Sequence, residues 1–404
     1  EALHYSGNNY YGTARSIALG NAMTALGGDL GSVGINPAGS AVAPYSQFTI
    51  SPGITVMSNY SAYSSCNQED YGNGGTSSRA KFVMPNFASV VNFETYKPRG
   101  LKNFTIGFLF NTTDQYLNDF IGTGRNSNTS ILGSFAAGAN PYTPEALKKY
   151  DNFYDSTIPW NYLMAYQAGM IGEAMDEAGK PIKDASGNYI YLGTTEGMTA
   201  KPDGDWDIRT LGALDQYSRV QTYGSKTDFI MNWGLNFNDN FFLGFNLGMP
   251  IATYHYDEYF REAAVDPSDF EVEYVNGAKT NFSHATYDYS QTTDISGVYA
   301  KAGFIWLPVQ GLRIGATIQT PTLLTVEDYW YVDGSTNFTD SQYNPDPAGS
   351  PENDYKYDLD DLKLQSVAFQ TGYLSIAEWK KYSPTKWIIR YDFPNIEIRD
   401  SWYK

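Results

Sequence analysis

Cysteine and histidine are scarce in this 404-residue chain, which has one cysteine, Cys66, and three histidines. A single cysteine excludes an internal disulfide framework and any zinc site built from several cysteine ligands. His4, His255 and His284 lie outside any catalytic motif, and no nucleophile-elbow, HExxH, Walker or dinucleotide-binding motif is present. We therefore expect that the protein is not an enzyme and that it holds no cofactor.

Basic residues are also few, with 27 Lys and Arg against 44 Asp and Glu and a formal net charge of −17. Without a basic stripe to neutralise phosphates, binding to nucleic acid is excluded. The acidic residues gather in predicted loops near 266–273 and 340–361. Two interpretations remain for these carboxylates: solvated loop surface, or ligands of a hard cation such as calcium.

Long apolar runs are missing as well, since no stretch approaches the roughly 20 residues of a membrane-spanning helix. Membrane-spanning strands remain open, because their alternating side chains average to a soluble-looking hydropathy. The chain is instead rich in glycine (38), tyrosine (34) and phenylalanine (22). Many short strands with aromatic girdles would account for all three.

Strand-like alternation recurs along the chain. Residues 226–237 and 241–253 each carry apolar side chains at every second position, and Asn238-Asp239-Asn240 joins them. This pattern predicts a hairpin. The opposite positions of the second strand are Gly244, Asn246 and Gly248, so one face is apolar and the other is small or polar. Further strands are predicted at 45–57, 81–95, 103–113, 296–307 and 312–325.

The predicted connections alternate strictly in length. Short ones fall at 97–102, 238–240 and 308–311, and long ones fall at 58–80, 114–216, 256–294 and 326–354. Outer-membrane barrels have this arrangement, with short periplasmic turns and long outer loops. A soluble β-sandwich, the alternative, has no reason to keep its long loops at one end. We predict an all-β, transmembrane antiparallel β-barrel.

The stretch 12–39 has a different composition, with seven glycines, five alanines, and Arg15 and Asp29 as its only charged residues. Residues 14–26 show two apolar stripes at helical spacing, which predicts an enclosed helix that ends at Gly27-Gly28. Asn36-Pro37 then favours an extended or turn conformation. The segment is expected to plug a confined space, or else to pack as an N-terminal helix on a globular core.

The run ARSIALGNAMTALGGDLGSVGINPAG resembles the N-terminal hatch of the FadL/TodX family of outer-membrane transporters, above all the Bacteroidetes-type members often labelled haemin receptors. The terminal triplet is Asn36-Pro37-Ala38. The resemblance implies a hatch over 1–44 and a barrel of about 14 strands over 45–357. It also implies a lateral opening at a kinked early strand, where Gly107 is the candidate. Residues 358–404 depart from the pattern, and this tail stays unassigned.

Ligand contacts are predicted in the long insertion and in the barrel. A helix over 159–178 would present flexible and aromatic side chains: Trp160, Leu163, Met164 and Met170. These side chains would either contact apolar ligands or pack the loop onto the barrel mouth. Lys301 and Arg313 would pair with a ligand carboxylate, or with an acidic residue such as Asp29. His255 between two tyrosines indicates an aromatic belt more than a haem ligand.

The expected function is passive outer-membrane transport of long-chain fatty acids or other hydrophobic small molecules by a monomer that contacts outer-membrane lipid. The sequence begins at Glu1 without an apolar leader, which we interpret as a mature form after removal of a signal peptide. One alternative is a non-transporting barrel that acts as a surface-binding or secretion-associated scaffold. Another is a soluble carbohydrate-binding β-domain, which exposed Trp and Tyr side chains would support.

Overall fold

A computed structural model describes residues 11–62, 72–149, 157–176, 179–201, 206–273, 278–345, 348–349 and 357–358. His4, Cys66 and nearly all of the predicted tail 358–404 lie outside the described residues.

The described chain is mostly antiparallel β-sheet, as the strand alternation predicts. The strands are β1 Gln47–Ala62, β2 Gly72–Glu94, β3 Leu101–Gln115, β4 Asn118–Asn126, β5 Ile171–Glu173, β6 Tyr191–Gly193, β7 Glu196–Ala200, β8 Trp206–Thr210, β9 Leu214–Phe237, β10 Phe241–Ala264, β11 Glu271–Glu273, β12 Lys279–Val309, β13 Leu312–Gln319, β14 Leu323–Phe338, β15 Ala348–Gly349 and β16 Tyr357–Asp358. One twelve-stranded sheet holds all but β5–β8, in the order β1-β2-β3-β9-β10-β12-β14-β15.

The predicted hairpin at 226–253 is confirmed. β9 and β10 pair without a register shift from Phe237↔Phe241 to Leu214↔Ala264. Asn238 and Asp239 in the connection have φ of 56° and 61°, as a tight hairpin turn requires.

The strands are longer than predicted, and three of the predicted long loops are mostly strand. β10 continues to Ala264 and β12 begins at Lys279, so the loop expected at 256–294 shrinks to the stretch between them. β14 occupies 323–338 of the loop expected at 326–354, and β1 and β2 leave only 63–71 of the loop expected at 58–80. In these strand halves polar and tyrosine side chains occupy both faces, so the apolar alternation that reveals a strand is missing.

At two places one long strand pairs with two shorter strands in succession. β9 pairs first with β3 and, beyond a break at 116–117, with β4. β12 pairs in the same way with β13 and, beyond a break at 320–322, with β14. The prediction joined 312–325 into one strand. Among the described residues, β1 pairs along one edge, with β2, and the described strands form an open sheet.

The sheet has two different faces. Even-numbered residues of β9 from Lys226 to Asn236 are buried, whereas the odd-numbered ones are partly or largely exposed. Residues 11–43 pack on the buried side, which we call the segment face. The other side is called the opposite face.

The N-terminal segment is less helical than predicted. α1 covers Ala14–Ala18, not 14–26, because Gly20 and Asn21 both adopt φ near 60° and end it. Ile17 and Leu19 are 49% and 45% exposed, so the expectation of a helix buried on every side is wrong. Two 3₁₀ helices follow, Leu30–Ser32 and Pro37–Val42.

The described residues between β4 and β9, which are 127–149, 157–176, 179–201 and 206–213, form a structure that we call the cap. It contains α2 Ile131–Ala139, α3 Pro144–Lys148 and α4 Trp160–Gln167. The helix expected at 159–178 ends early, since Gly169 has a φ of 66° and β5 begins at Ile171. α2 and α3 lie outside the helix predicted at 159–178. None of the described helices is long and apolar enough to cross a membrane.

Candidate functional site

A row of glycines on the segment face makes room for the N-terminal segment. Gly244 of β10 pairs directly with Gly234 of β9 and with Gly303 of β12. A Cβ atom on any of the three would lie less than 3.0 Å from atoms of residues 36–40, a distance that real Cβ atoms do not reach. At Gly244 the obstacle is the backbone of Pro37. At Gly234 and Gly303 the nearest segment atoms are the side-chain oxygens of Ser40 and Asn36. The segment therefore crosses three strands at close range, and at Gly244 it approaches backbone to backbone, which only glycine permits.

Asn36 joins the segment to itself and to the sheet. Its side-chain amide donates to the Thr24 carbonyl at 2.6 Å and to the Phe304 carbonyl of β12 at 3.0 Å. Its side-chain oxygen accepts from Ala38 N at 3.0 Å and so caps the second 3₁₀ helix. The side chain is fully buried, so each bond is shielded from water.

Three buried polar side chains of the sheet reach the segment's carbonyl groups. Asn232 of β9 donates to the Pro37 carbonyl at 3.0 Å, and Asn246 of β10 donates to the Val33 carbonyl at 2.8 Å. Lys301 of β12 donates from Nζ to the Gly34 carbonyl at 2.7 Å. Asn232 was not among the predicted site residues. Its place among the even-numbered residues of β9, on the face that carries small and polar side chains, could have indicated it.

The second predicted cation, Arg313 of β13, donates to the Leu26 carbonyl. Asp29, its suggested partner, accepts from Thr13 Oγ1 at 2.7 Å and from Gly31 N at 2.8 Å. Lys301 and Arg313 thus both contact backbone carbonyls of the segment. Recognition of a ligand carboxylate by these two residues stays a prediction.

Gly107 of β3 lies on the segment face, where an added Cβ would stand 2.6 Å from Val90 Cγ2. Its pairing with Val90 and with Asn232 is continuous on both sides. No register shift marks Gly107, and a lateral opening at this position stays a prediction. The register shifts of the neighbouring strand pairs fall at Ser51/Gly53 in β1 and at Leu101/Asn103 and Thr112/Asp114 in β3.

The apolar residues predicted in the insertion form the core of the cap. Leu163, Met164 and Met170 are each 0% exposed, and Trp160 packs at the margin of the same cluster. The sheet contributes Phe282, Ala285, Val332 and Phe338 to this cluster. These side chains pack the cap onto the sheet, which was one of the two predicted roles. A ligand could reach them only if the cap opened.

Glu262 of β10 ties the cap to the sheet. Its fully buried carboxylate accepts from Ser130 Oγ, from Ile131 N at 2.9 Å and from Gln216 Nε2. Ser130 is the N-cap of α2, so the carboxylate lies at the start of that helix. Burial raises the pKa of Glu262, and the nearby Glu196 raises it further.

The opposite face of the same strands exposes large apolar side chains. Trp233 of β9 is 40% exposed and Phe245 of β10 is 43% exposed, and the two rings lie 5.8 Å apart. Further members extend across the sheet and define what we call the apolar belt: Phe48, Ile50, Ile54, Val56, Phe82, Phe108, Phe110, Leu243, Ile251, Val298, Trp306, Ile314, Ile318 and Leu323. A contiguous surface of this kind marks contact with an apolar partner or medium.

His255 stacks on Tyr223 with ring centroids 4.4 Å apart, and its Nδ1 lies 2.9 Å from Thr292 Oγ1.

Part of the acidic loop forms local contacts, since Asp266 caps a 3₁₀ turn, and Glu271 and Glu273 pair with Lys279. Within the described part of the chain, no group of three or more His, Cys, Asp or Glu side chains is placed to hold a metal ion.

No protein-family model matches the chain, and no curated protein matches it. Among solved structures, two mutants of the porin from Rh. blastica align at 10% sequence identity, over 71% of this chain and 100% of the porin chain. The TM-score of both alignments is 0.07, a value that carries no information on the fold.

Proposed function

We propose that the protein is a FadL-like outer-membrane β-barrel that passes long-chain fatty acids or other hydrophobic small molecules across the membrane. The observation that carries the proposal is the contrast between the two faces of one sheet. One face is apolar and exposed, and the other bonds a glycine-rich segment through buried polar side chains.

The apolar belt supports a membrane location. A soluble protein rarely leaves a contiguous apolar surface of this extent in water. Transmembrane strands need about 9–11 residues to cross the hydrocarbon core, and β9 and β10 each have 24. The apolar half of each strand would cross the membrane, and the tyrosine-rich half would project outward beneath the cap. The sheet would close on itself so that no edge faces lipid.

The segment supports the role of a plug. Residues 24–40 cross β9, β10, β12 and β13 on the segment face, which becomes the lumen if the sheet closes. A ligand would then pass between the segment and the wall, where Lys301 and Arg313 contact it. Passage requires local displacement of the segment, because its contacts with the glycine row are close.

Uptake of a radiolabelled long-chain fatty acid tests the proposal. The host would be a Gram-negative strain without its own long-chain transporter, and the test variant would carry Asn36→Ala with Pro37→Ala. We expect the native protein to fractionate with the outer membrane and to support uptake, and the variant to change the uptake rate without unfolding. The matched control is Asn140→Ala with Pro141→Ala, the same residue pair in the cap. Native protein that gives no uptake above the empty host would refute transport.

A second candidate is a non-transporting outer-membrane barrel whose cap serves as a surface-binding or secretion-associated scaffold. The packed core of the cap favours it, since Leu163, Met164 and Met170 are fully buried there. The two functions separate in the same assay: a scaffold reaches the outer membrane, gives background uptake, and is unaffected by the segment variant.

A further inference from the structure

A half-open cleft of about 510 Å³ lies on the upper, tyrosine-rich half of the sheet, lined by side chains of four neighbouring strands. We call it the tyrosine pocket. Its lining includes Tyr217 and Arg219 of β9, Asp257 and Tyr259 of β10, Asp288 of β12 and Tyr331 of β14. The volume falls in the range of small-ligand sites.

Strand register places these side chains on the opposite face. Tyr259 pairs with Arg219 on one side and with Asp288 on the other, and all lie at even spacing from belt residues such as Phe245 and Val298. Asp257 is six residues beyond Ile251, the last exposed apolar residue of β10, which corresponds to about 20 Å along the strand. The pocket is therefore separate from the segment, from the cap core and from the proposed transport route.

Aromatic rings form the walls of the pocket. Tyr217 and Tyr259 stand with ring centroids 5.9 Å apart at an interplanar angle of 63°, and Tyr331 is 47% exposed. Such rings offer an apolar surface together with a hydroxyl that donates and accepts hydrogen bonds. The combination suits a ligand with a weakly polar C–H face and a polar rim, as a pyranose ring has.

The charges of the pocket exclude anionic ligands. Arg219 is held by Asp119, with Nε–Oδ1 and Nη2–Oδ2 distances of 3.1 and 3.0 Å, so its charge is already balanced. Asp257 and Asp288 remain in the lining, and Asp257 accepts from Ser290 Oγ at 2.6 Å. A fatty acid or phosphate would meet net negative charge, whereas hydroxyl groups would find carboxylate acceptors.

We propose that the tyrosine pocket binds an uncharged saccharide, with a sugar ring against Tyr217 and Tyr259 and its hydroxyls bonded to Asp257 and Asp288. The inference does not depend on transport. The same chemistry could be supplied by a free oligosaccharide or by the glycan of a membrane-anchored lipopolysaccharide.

The test is binding of the purified full chain to an array of uncharged, acidic and amino-sugar glycans, followed by titration calorimetry with the best uncharged glycan. Tyr259→Ala is expected to weaken binding at least tenfold. Tyr45→Ala, an exposed tyrosine outside the pocket, is the matched control and should leave affinity unchanged. Asp257→Asn removes one of the two carboxylates that accept from the sugar hydroxyls, so we expect uncharged glycans to bind more weakly and acidic glycans to be rejected less strongly.

The proposal is overturned if no uncharged glycan binds above the level of Tyr259→Ala, or if the protein prefers acidic or amino sugars. Equal binding by Tyr259→Ala and Tyr45→Ala would place the saccharide elsewhere and refute this site. Two titrations distinguish the sources, one with the glycan free in solution and one with the same glycan carried on lipopolysaccharide in detergent micelles. Binding of either form supports the pocket.

Discussion

Replacement of Gly244 by alanine tests how the segment is held. The added Cβ would lie 2.1 Å from the carbonyl carbon of Pro37, against about 3.5–4.0 Å for ordinary carbon contact. The segment must then move by more than about 1 Å, because the obstacle is backbone. Overpacking of this kind costs about 1–3 kcal/mol. Loss of the bond from Asn232 to Pro37 would add about 1 kcal/mol. Together they predict that docking weakens by about 2–4 kcal/mol, or roughly 30- to 1000-fold.

Hydrogen–deuterium exchange of the detergent-solubilised protein measures this effect. In the native protein Gly28 N donates to the Gly39 carbonyl and Gly39 N donates to the Asn36 carbonyl, so both amides report on the docked segment. We expect faster exchange at both in Gly244→Ala. Gly122→Ala is the matched control, since a Cβ on that strand glycine meets nothing within 4 Å. Equal exchange in the two variants would refute the close approach of segment and sheet.

Three further predictions concern the upper half of the molecule. Burial and the nearby Glu196 raise the pKa of Glu262, so its contribution to cap stability is largest at low pH and is lost as the pH rises through that pKa. Protease resistance of the cap should therefore grow from pH 7.5 to pH 5. Glu262→Gln should reduce this dependence of protease resistance on pH. Hydrogen bonds from Arg219 lower the pKa of Asp119 to about 2, so Asp119→Asn should lower Tm at pH 7, and the difference should shrink as the pH approaches 2. Met164→Ala removes a fully buried side chain and should destabilise the cap by about 2–5 kcal/mol in urea unfolding.

The lower half of each strand could be predicted because two chemistries alternate there. Leu243–Met249 places an apolar side chain outward at every second position and Gly244, Asn246 and Gly248 inward, a pattern that predicts a strand with one apolar face. The upper half could not be predicted in the same way. In β12, residues 284–294 carry Tyr, Thr, Ser and Asp on both faces, and their strand conformation comes from pairing with β10 and β14.

The segment was located by composition, and the triplet Asn36-Pro37-Ala38 does lie at its contact with the sheet. Its helix was overestimated because the positive φ of Gly20 and Asn21 has no periodic signal. The sheet residues that bond the segment could not be predicted from the sequence, because Asn232 and Pro37 are 195 residues apart and no local pattern links them. The buried role of Met164 and Met170 likewise depends on sheet residues far along the chain.

The most direct test of the account is the medium that surrounds the apolar belt. On a Cys66→Ser background, single cysteines at Phe245 and at Asp269 would carry a fluorophore in the protein reconstituted into lipid bilayers. The account predicts that a quencher attached to lipid tails dims the label at 245 and spares the label at 269, and that a water-soluble quencher does the reverse. A label at 245 that is quenched from water and untouched by the lipid-bound quencher would contradict it.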